Sequence, residues 1–222
     1  MRQLSLFETP FYVEKISNKL AMTLIKDFHY LKGLSHTCQS FGSFINGDLI
    51  GVVCFAVPVS ENVRSCLFGP KYKDHVRELT RLCLHPQCPI PASKIVSESI
   101  KSFVKYRKEH QQIPIHGLIS FADTNHGHHG GVYQSMSWLY IGTSEYIRNI
   151  YTDQNGRIRS SRQNGVEISP AFAQKLGWNH QRAKTIKHRY SKILGSKTQK
   201  RYFKSKLKYE TQSYPKPNQQ GK

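Results

Sequence analysis

Residues 120–138 bring a carboxylate, hydroxyls, three histidines and aromatic rings into one short segment of the chain. A carboxylate, that of Asp123, is followed closely by three imidazoles, those of His126, His128 and His129. A positioned carboxylate can take the proton from an amine that attacks an acyl carbon, which is the general-base step of acyl transfer. Asp123 could instead form an Asx turn or cap a helix. The two roles are compatible, and we predict that Asp123 is catalytic.

The histidines also allow a metal site. Two histidines and a carboxylate form the facial triad that binds iron. The spacing in this glycine-containing turn permits such a site without specifying it, because a histidine there can equally fix the loop or contact a phosphate. We therefore keep iron at His126 and His128, with His29 as a distant further ligand, as one hypothesis.

The elements that flank this segment place it at the edge of a sheet. Residues 113–122 form an apolar run typical of a buried strand, and residues 131–138 have helical spacing. Open sheets build their pockets at the carboxyl ends of strands, so Asp123 and Thr124 are expected to line a pocket.

Apolar periodicity and turn residues predict the order of the other elements. Strands are expected at residues 11–16, 39–45, 49–57, 76–84, 146–152, 157–161 and 188–194, and helices at residues 17–30, 92–110, 169–176 and 197–209. Asn46-Gly47-Asp48 predicts a hairpin between the second and third strands. The side chains expected to face inward are Leu20, Leu24 and Phe28 in the first helix, and Ile95, Ile100, Phe103 and Val104 in the second.

Composition indicates a folded protein with a polyanionic partner. The net charge is +19 over 222 residues, and residues 151–222 carry 17 Lys and Arg against 3 Asp and Glu, or +14 of that total. Such an excess favours nucleic acid over an anionic membrane surface, because aromatic residues interleave the cations of residues 197–209 and can stack on bases.

The five cysteines are odd in number and form no C-x-x-C pair, which favours a reduced, cytoplasmic protein.

The motif in residues 120–138 also identifies a family. It meets every fixed position of the pattern S-[YF]-A-D-T-x-x-G-H-x-G-x-[IV]-Y-Q-[AS]-x-x-W. Four further segments agree in order, namely HYLKG at 29–33, ELTRL at 78–82, KHRY at 187–190 and YPK at 214–216. With these segments the chain resembles the Mom family of phage DNA-modification proteins. Ser137 departs from the family, where asparagine is expected.

This resemblance implies a function and a fold. Mom proteins convert adenine N6 in DNA to a carbamoylmethyl (acetamido-type) adduct, which protects phage DNA from host restriction. The predicted order of elements is that of the Gcn5-related N-acetyltransferase fold, an α+β (mixed) class with a central mixed sheet flanked by helices. We expect a catalytic core at residues 1–150, a basic nucleic-acid-binding extension packed on it at 151–212, and a disordered tail at 213–222.

The implied reaction assigns roles to particular residues. Asp123 is the expected base, with Tyr30 or Tyr133 relaying the proton and Ser120 or Thr124 holding the developing oxyanion. His29 belongs to the same site. Glu78 and Arg81 lie three apart on a strand and should face opposite sides, with Glu78 toward the reacting amine and Arg81 toward the donor.

The donor and the DNA are assigned to two further sets of residues. Donor phosphates would rest on N–H groups at the start of the long helix, at Ala92, Ser93, Lys94 and Ile95, although the usual Arg/Gln-x-x-Gly-x-Gly/Ala loop is absent. The donor is either acetyl-coenzyme A or glycyl-tRNA, so tRNA is a second expected partner. Contacts to double-stranded DNA and its flipped adenine are expected from Thr124, Gly127, His128, Gln134, Trp138, Lys187, His188, Arg189, Lys200, Arg201 and Lys204.

Two other functions are compatible with the sequence. A metal-dependent nuclease could use the histidine cluster, and a DNA-binding protein could carry a non-catalytic acyltransferase-like core. The first predicts loss of DNA integrity with Mg²⁺ or Mn²⁺, and the second predicts binding with unchanged nucleosides.

Overall fold

A computed structural model describes residues 11–34, 37–159, 161–163 and 166–216. The strands are β1 (Phe11–Ile16), β2 (Gln39–Ile45), β3 (Asp48–Ala56), β4 (Val76–Leu84), β5 (Gly117–Asp123), β6 (Leu139–Thr152), β7 (Ile158–Arg159), β8 (Arg162–Gln163), β9 (Val166–Glu167) and β10 (Asn179–Ile193). The α-helices are α1 (Asn18–Phe28), α2 (Glu61–Ser65), α3 (Ala92–Glu109), α4 (Gly131–Ser135), α5 (Pro170–Lys175) and α6 (Lys197–Ser205). Two 3₁₀ helices span Pro70–His75 and Thr124–His126.

One mixed sheet of eight strands organises the molecule, in the order β1-β2-β3-β4-β5-β10-β6-β7. Strands β4 and β5 are parallel, and all other neighbours in this sheet are antiparallel. Helices α3 and α4 cover one face, while α1 covers β2 to β4 on the other face and α6 covers β5 and β10 there. The order of elements and the mixed sheet confirm the predicted α+β, Gcn5-related N-acetyltransferase-like fold.

The predicted hairpin turn forms, and serine side chains cap two of the helices. Asn46 and Gly47 both have positive φ, 52° and 90°, so they form the tight turn that joins β2 to β3. Ser17 caps α1 by accepting the N–H of Leu20 at 3.1 Å. Ser169 caps α5, and Gly177 beyond its end has φ 69°.

The predicted helix faces are partly wrong. Helix α1 buries Ala21, Leu24 and Ile25, whereas Leu20 and Phe28 are exposed. Leu20 lies at the edge of the buried stripe, and Phe28 is the last helical residue, where its ring packs edge-on against His85. In α3 the predicted Ile95, Ile100 and Phe103 are buried, but Val104 is exposed because it is one 100° step past Phe103.

Strand β10 changes the predicted domain organisation. It comes from the predicted basic extension, yet it lies between β5 and β6 inside the main sheet. It pairs with β5 at residues 187–193, and its earlier residues pair with β6 alone. Beyond the end of β5, β6 and β10 thus form a two-stranded ribbon, and Tyr151, Ile168, Ala173 and Trp178 make a small separate core at its far end.

The start of the predicted disordered tail is packed. Tyr214 donates its hydroxyl to the carbonyl of Trp138 at 2.9 Å, and the carbonyl of Pro215 accepts from Gln134 at 3.4 Å. Residues 217–222 lie outside the described residues. Within the described part of the chain, no helix is long and apolar enough to cross a membrane.

Candidate active site

A fork between the two parallel strands creates the site. Strands β4 and β5 pair from Val76 with Gly117 to Leu79 with Ser120, and beyond that point they are not paired. The Ser120 side chain holds the fork, since its oxygen lies 2.8 Å from the Leu79 carbonyl and 2.7 Å from the Tyr133 hydroxyl. A pocket occupies the gap above it, and its lining includes His29, Tyr30, Arg81, Phe121, His128 and Tyr133.

A β-bulge at Thr80 brings two charged residues of β4 to one face. Ala56 pairs with Glu78 and Cys54 pairs with Arg81, so a step of two residues on β3 spans a step of three on β4. Residues two apart on a strand share a face, and their partners therefore do as well. The prediction that Glu78 and Arg81 face opposite sides is wrong, because the extra residue restores their alignment.

Asp123 and Lys187 form the charged centre of the site. Asp123 is buried at the end of β5, and its Oδ2 lies 3.5 Å from Nζ of Lys187, its register partner on β10. Burial acts to lower the pKa of Lys187, but Tyr146, Asp123 and Tyr30 together raise it. Burial raises the pKa of Tyr30, and the charge of Asp123 adds to this effect. Tyr30 therefore remains a protonated hydrogen-bond donor at neutral pH.

Glu78 has the titration best suited to proton transfer near neutral pH. Burial raises the pKa of its carboxyl to about 7, against the smaller opposing effects of Lys187 and Arg81. No hydrogen-bond partner of its carboxylate occurs among the described residues. A carboxyl that is about half ionised at neutral pH can both accept and return a proton.

Tyr30 is surrounded by imidazoles. Its ring centroid lies 4.6 Å from that of His29, 4.1 Å from that of His126 and 5.5 Å from that of His128. Burial, followed by the charge of Arg81, lowers the pKa of His29 to about 4, so this ring is neutral at pH 7. Its Nδ1 accepts the N–H of Leu31 at 2.9 Å. The histidines thus act as packing partners that fix the Tyr30 ring.

The predicted iron site is not supported. Among the described residues, no group of three or more His, Cys, Asp or Glu side chains is placed to hold a metal ion. His126 and His128 instead pack on Tyr30, and Asp123 pairs with Lys187. Those contacts occupy the side chains that the facial triad would need.

Several predicted site residues have structural roles. Arg81 donates to the carbonyls of Gly33, at 2.9 Å, and Thr80, at 2.6 Å, so it braces the loop after α1 and is not directed at a donor. Ser120 is buried with both neighbours engaged, which leaves it no room to hold an oxyanion. Tyr133 lines the pocket, and burial raises its pKa to about 12.

The predicted DNA contacts around α4 are mostly internal. Trp138 is fully buried against Tyr133 and cannot stack on a base, so that prediction is wrong. Gln134 donates to the His129 carbonyl and to the Tyr190 hydroxyl, both at 3.0 Å. Thr124 donates to the Ile186 carbonyl at 2.7 Å and fastens the loop to β10. Gly127 and His128 remain at the exposed pocket rim.

The basic residues divide between three places. Lys187 faces the site, whereas His188 Nδ1 lies 3.0 Å from the Tyr140 hydroxyl. Arg189 donates to the Tyr209 hydroxyl at 2.9 Å and stacks on that ring, so it is not directed at DNA. The remaining predicted contacts, Lys200, Arg201 and Lys204, are exposed on α6.

The start of α3 offers a smaller phosphate cradle than predicted. The N–H groups of Lys94 and Ile95 already bond to the Pro91 carbonyl, at 3.0 and 3.2 Å, and the Ile95 side chain is buried. Only the N–H groups of Ala92 and Ser93 have no acceptor within the described residues. Three prolines in residues 86–91 supply no N–H at all. Two N–H groups can hold one phosphate group but do not make a cradle for a pyrophosphate.

One residue of the site, Tyr146, is not among the residues predicted from the sequence. Its ring centroid lies 5.4 Å from Nζ of Lys187, and it acts electrostatically on both Lys187 and Tyr30. No motif marks it, and the pairing of β6 with β10 brings it beside Lys187, which in turn pairs with Asp123. A sequence signal for such a residue would require knowledge of that long-range pairing.

Comparison with known proteins places the chain in a family. Solved structures that are similar include a probable acetyltransferase from Staphylococcus epidermidis (12% identity, 84% of this chain and 100% of that chain covered, TM-score 0.47). Others are the ribosomal-protein-S18-alanine N-acetyltransferase from Escherichia coli (8%, 85% and 97%, TM-score 0.45) and a GNAT family acetyltransferase from Elizabethkingia anophelis with acetyl-CoA bound (11%, 83% and 98%, TM-score 0.43). No curated protein matches. The model of the Mom protein family matches residues 10–216, and the chain therefore belongs to the Mom family.

Proposed function

We propose that this protein is a transferase that converts adenine N6 in DNA to a carbamoylmethyl (acetamido-type) adduct and so protects phage DNA from host restriction. Family membership supports this proposal. The observation that carries it is the cluster at the fork, where Asp123, Lys187, Glu78 and Tyr30 lie together beside an open pocket. Transfer to an amine needs such a cluster of acids, bases and hydrogen-bond donors.

The adenine amine is a weak nucleophile because its lone pair is delocalised into the ring. Attack on an acyl carbon therefore needs removal of an N6 proton and stabilisation of the oxyanion. Asp123 is the proposed acceptor of that proton, and Glu78 exchanges it with solvent. Tyr30, which stays protonated, is the proposed donor to the oxyanion. The new N–C bond forms as the bond from the acyl carbon to the donor's sulfur or ester oxygen breaks, and the leaving group takes up a proton.

The donor follows from the atoms of the product. A carbamoylmethyl group contains the atoms of a glycine amide, so glycyl-tRNA supplies both its carbons and its nitrogen after rearrangement. An acetyl group from acetyl-coenzyme A lacks that nitrogen. The small cradle at Ala92 and Ser93 also favours a donor other than coenzyme A. Purified protein supplied with ¹⁵N-glycyl-tRNA should place the label in the modified nucleoside, and unlabelled product formed from acetyl-coenzyme A would restore the coenzyme as donor.

The function is tested by co-expressing the protein with a plasmid and analysing the plasmid nucleosides by mass spectrometry. The unaltered protein should yield an adenine heavier by the carbamoylmethyl group, and Asp123→Asn should yield far less of it. Unmodified adenine despite normal DNA binding would favour a non-catalytic DNA-binding protein. Plasmid cleavage that requires Mg²⁺ or Mn²⁺ would favour a nuclease.

A further inference from the structure

The ribbon formed by β6 and β10 begins at the active site. Strand β5 ends at Asp123, which pairs with Lys187, and Lys187 pairs in turn with Ser144 of β6. Tyr146 lies two residues further along β6, so its side chain is on the same face of the ribbon as Lys187. The ribbon therefore places an aromatic side chain on the face that carries Lys187 and Asp123.

Tyr146 presents an open ring on a fixed backbone. Tyr146 is 42% exposed, while its register partner Thr185 is fully buried within the ladder. Nζ of Lys187 lies over the Tyr146 ring at 5.4 Å and also lies 3.5 Å from Asp123. The cation contacts this side chain, and its exposed part remains open to a ligand that binds near Lys187 and Asp123.

The other aromatic residues of the described site are unsuited to stacking on a base. Trp138, Tyr133 and Tyr140 are buried in the core, and Phe121 packs against the hydrophobic cluster under α6. Tyr30 is as exposed as Tyr146, but its ring packs against three histidines. Tyr146 is thus the tyrosine near Asp123 whose ring is both exposed and free of aromatic neighbours among the described residues.

We propose that Tyr146 stacks on the adenine extruded from the duplex and holds it beside Asp123. This inference rests on the proposed function, because a base must leave the helix before its N6 can be modified, and it then needs a substitute for its lost stacking. A tyrosine at the root of a ribbon is rigid enough to supply that surface. Tyr146 thus helps to define the base-binding subsite, and its ligand class is a purine base in DNA.

Three substitutions of Tyr146 distinguish the contribution of the aromatic ring from those of the hydroxyl group and of side-chain size. Tyr146→Leu keeps an apolar side chain but has no π face, Tyr146→Ala removes the side chain, and Tyr146→Phe keeps the ring. We expect modified adenine to form about 5- to 150-fold more slowly in the Leu and Ala variants. Tyr146→Phe should restore most of that loss. Tyr12→Ala, at a tyrosine of similar exposure on β1, is the matched control and should modify plasmid DNA normally.

Fluorescence gives a readout that does not depend on catalysis. A duplex carrying 2-aminopurine at a mapped modification site should brighten less with the unaltered protein than with Tyr146→Ala, because stacking on tyrosine quenches the extruded base. Equal brightness, or a Phe variant as slow as the Leu variant, would overturn the stacking role. Absence of any modified adenine with unaltered protein would contradict the proposed function instead, so the two failures are distinguishable.

Discussion

The Glu78 carboxyl changes its charge near neutral pH. Its pKa of about 7 arises from burial beside the fork, with Lys187 and Arg81 too weak to offset the desolvation. The bulge at Thr80 turns Glu78 to the same face as Arg81. One extra residue in β4 therefore determines where this carboxyl lies and which charges surround it.

Substitution of Glu78 by Gln should stabilise the protein in alkaline solution. The folded-state pKa lies above the usual 4.5, so the folded state keeps its proton while the unfolded chain releases it. Stability consequently falls as the pH rises from about 4.5 to 7 and stays lower above that window. We expect Glu78→Gln to raise the free energy of unfolding at pH 8 by at most about 3 kcal/mol, and to leave it nearly unchanged at pH 4.

Urea denaturation at the two pH values measures this difference. The control is Glu109→Gln, at an exposed carboxylate, whose free energy of unfolding should show no comparable pH-dependent gain. The same Glu78→Gln variant should also lose the rise of modification rate through pH 7. If the gain in unfolding free energy over the unaltered protein were larger at pH 4 than at pH 8, the burial argument would be contradicted.

A substitution of Asp123 tests the proposed general-base step. Asp123→Asn removes the proton acceptor, and general-base catalysis contributes roughly 10²- to 10⁴-fold to such reactions. We expect the rate of adenine modification to fall by that factor while the affinity for plasmid DNA changes little. Undiminished modification by a folded variant would remove Asp123 from the mechanism.

At the scale of elements, the loop between β5 and α4 depends on one glycine. Gly130 has φ 83°, and a Cβ there would lie 2.2 Å from Cε2 of the buried Tyr190. Gly127 in the same loop also has positive φ, 69°, but a Cβ there meets no atom within 4 Å. Alanine substitutions at the two glycines therefore distinguish the cost of backbone strain from the cost of steric overlap.

We expect Gly130→Ala to cost about 2–5 kcal/mol, the sum of left-handed strain and overpacking, and Gly127→Ala to cost about 1 kcal/mol from strain alone. Urea denaturation of both variants measures the difference. Equal losses would mean that Tyr190 moves aside without cost, in which case the loop is less tightly held than its contacts indicate.

Local signals predicted the elements well, because each depends on a few neighbouring residues. Asn46-Gly47 predicted the hairpin, and apolar spacing predicted α3 to within one residue. The features that shape the site depend on distant pairing. The bulge at Thr80 follows from the register with β3, and the place of Tyr146 follows from the insertion of β10 beside β5. Trp138 matched the family motif, but a motif does not distinguish a buried aromatic from a ligand-binding one.

At the scale of the whole molecule, the cationic surface of α6 is remote from the pocket. Strand β10 runs from Lys187 at the site to Ile193 beside Gly117 at the other end of β5, a distance of roughly 20 Å at about 3.4 Å per residue. Helix α6 follows directly and exposes Lys200, Arg201 and Lys204, with Phe203 anchored in the core. A duplex that reaches both places would contact the protein over the several base pairs that separate the modified adenine from α6.

The α6 surface should account for much of the salt dependence of DNA binding. Each lysine or arginine that neutralises a phosphate steepens the plot of log affinity against log salt concentration by about 0.9. The triple variant Lys200→Gln, Arg201→Gln and Lys204→Gln should therefore flatten that slope by up to about 3 units and weaken binding at low salt.

Lys101, Lys105 and Lys108 are exposed on α3, so their triple Gln variant removes the same charge from a different surface. Filter binding of a linear duplex at several salt concentrations compares the two variants. Equal slopes would mean that only the net charge matters, whereas a flatter slope confined to the α6 variant would identify α6 as a phosphate-contacting surface.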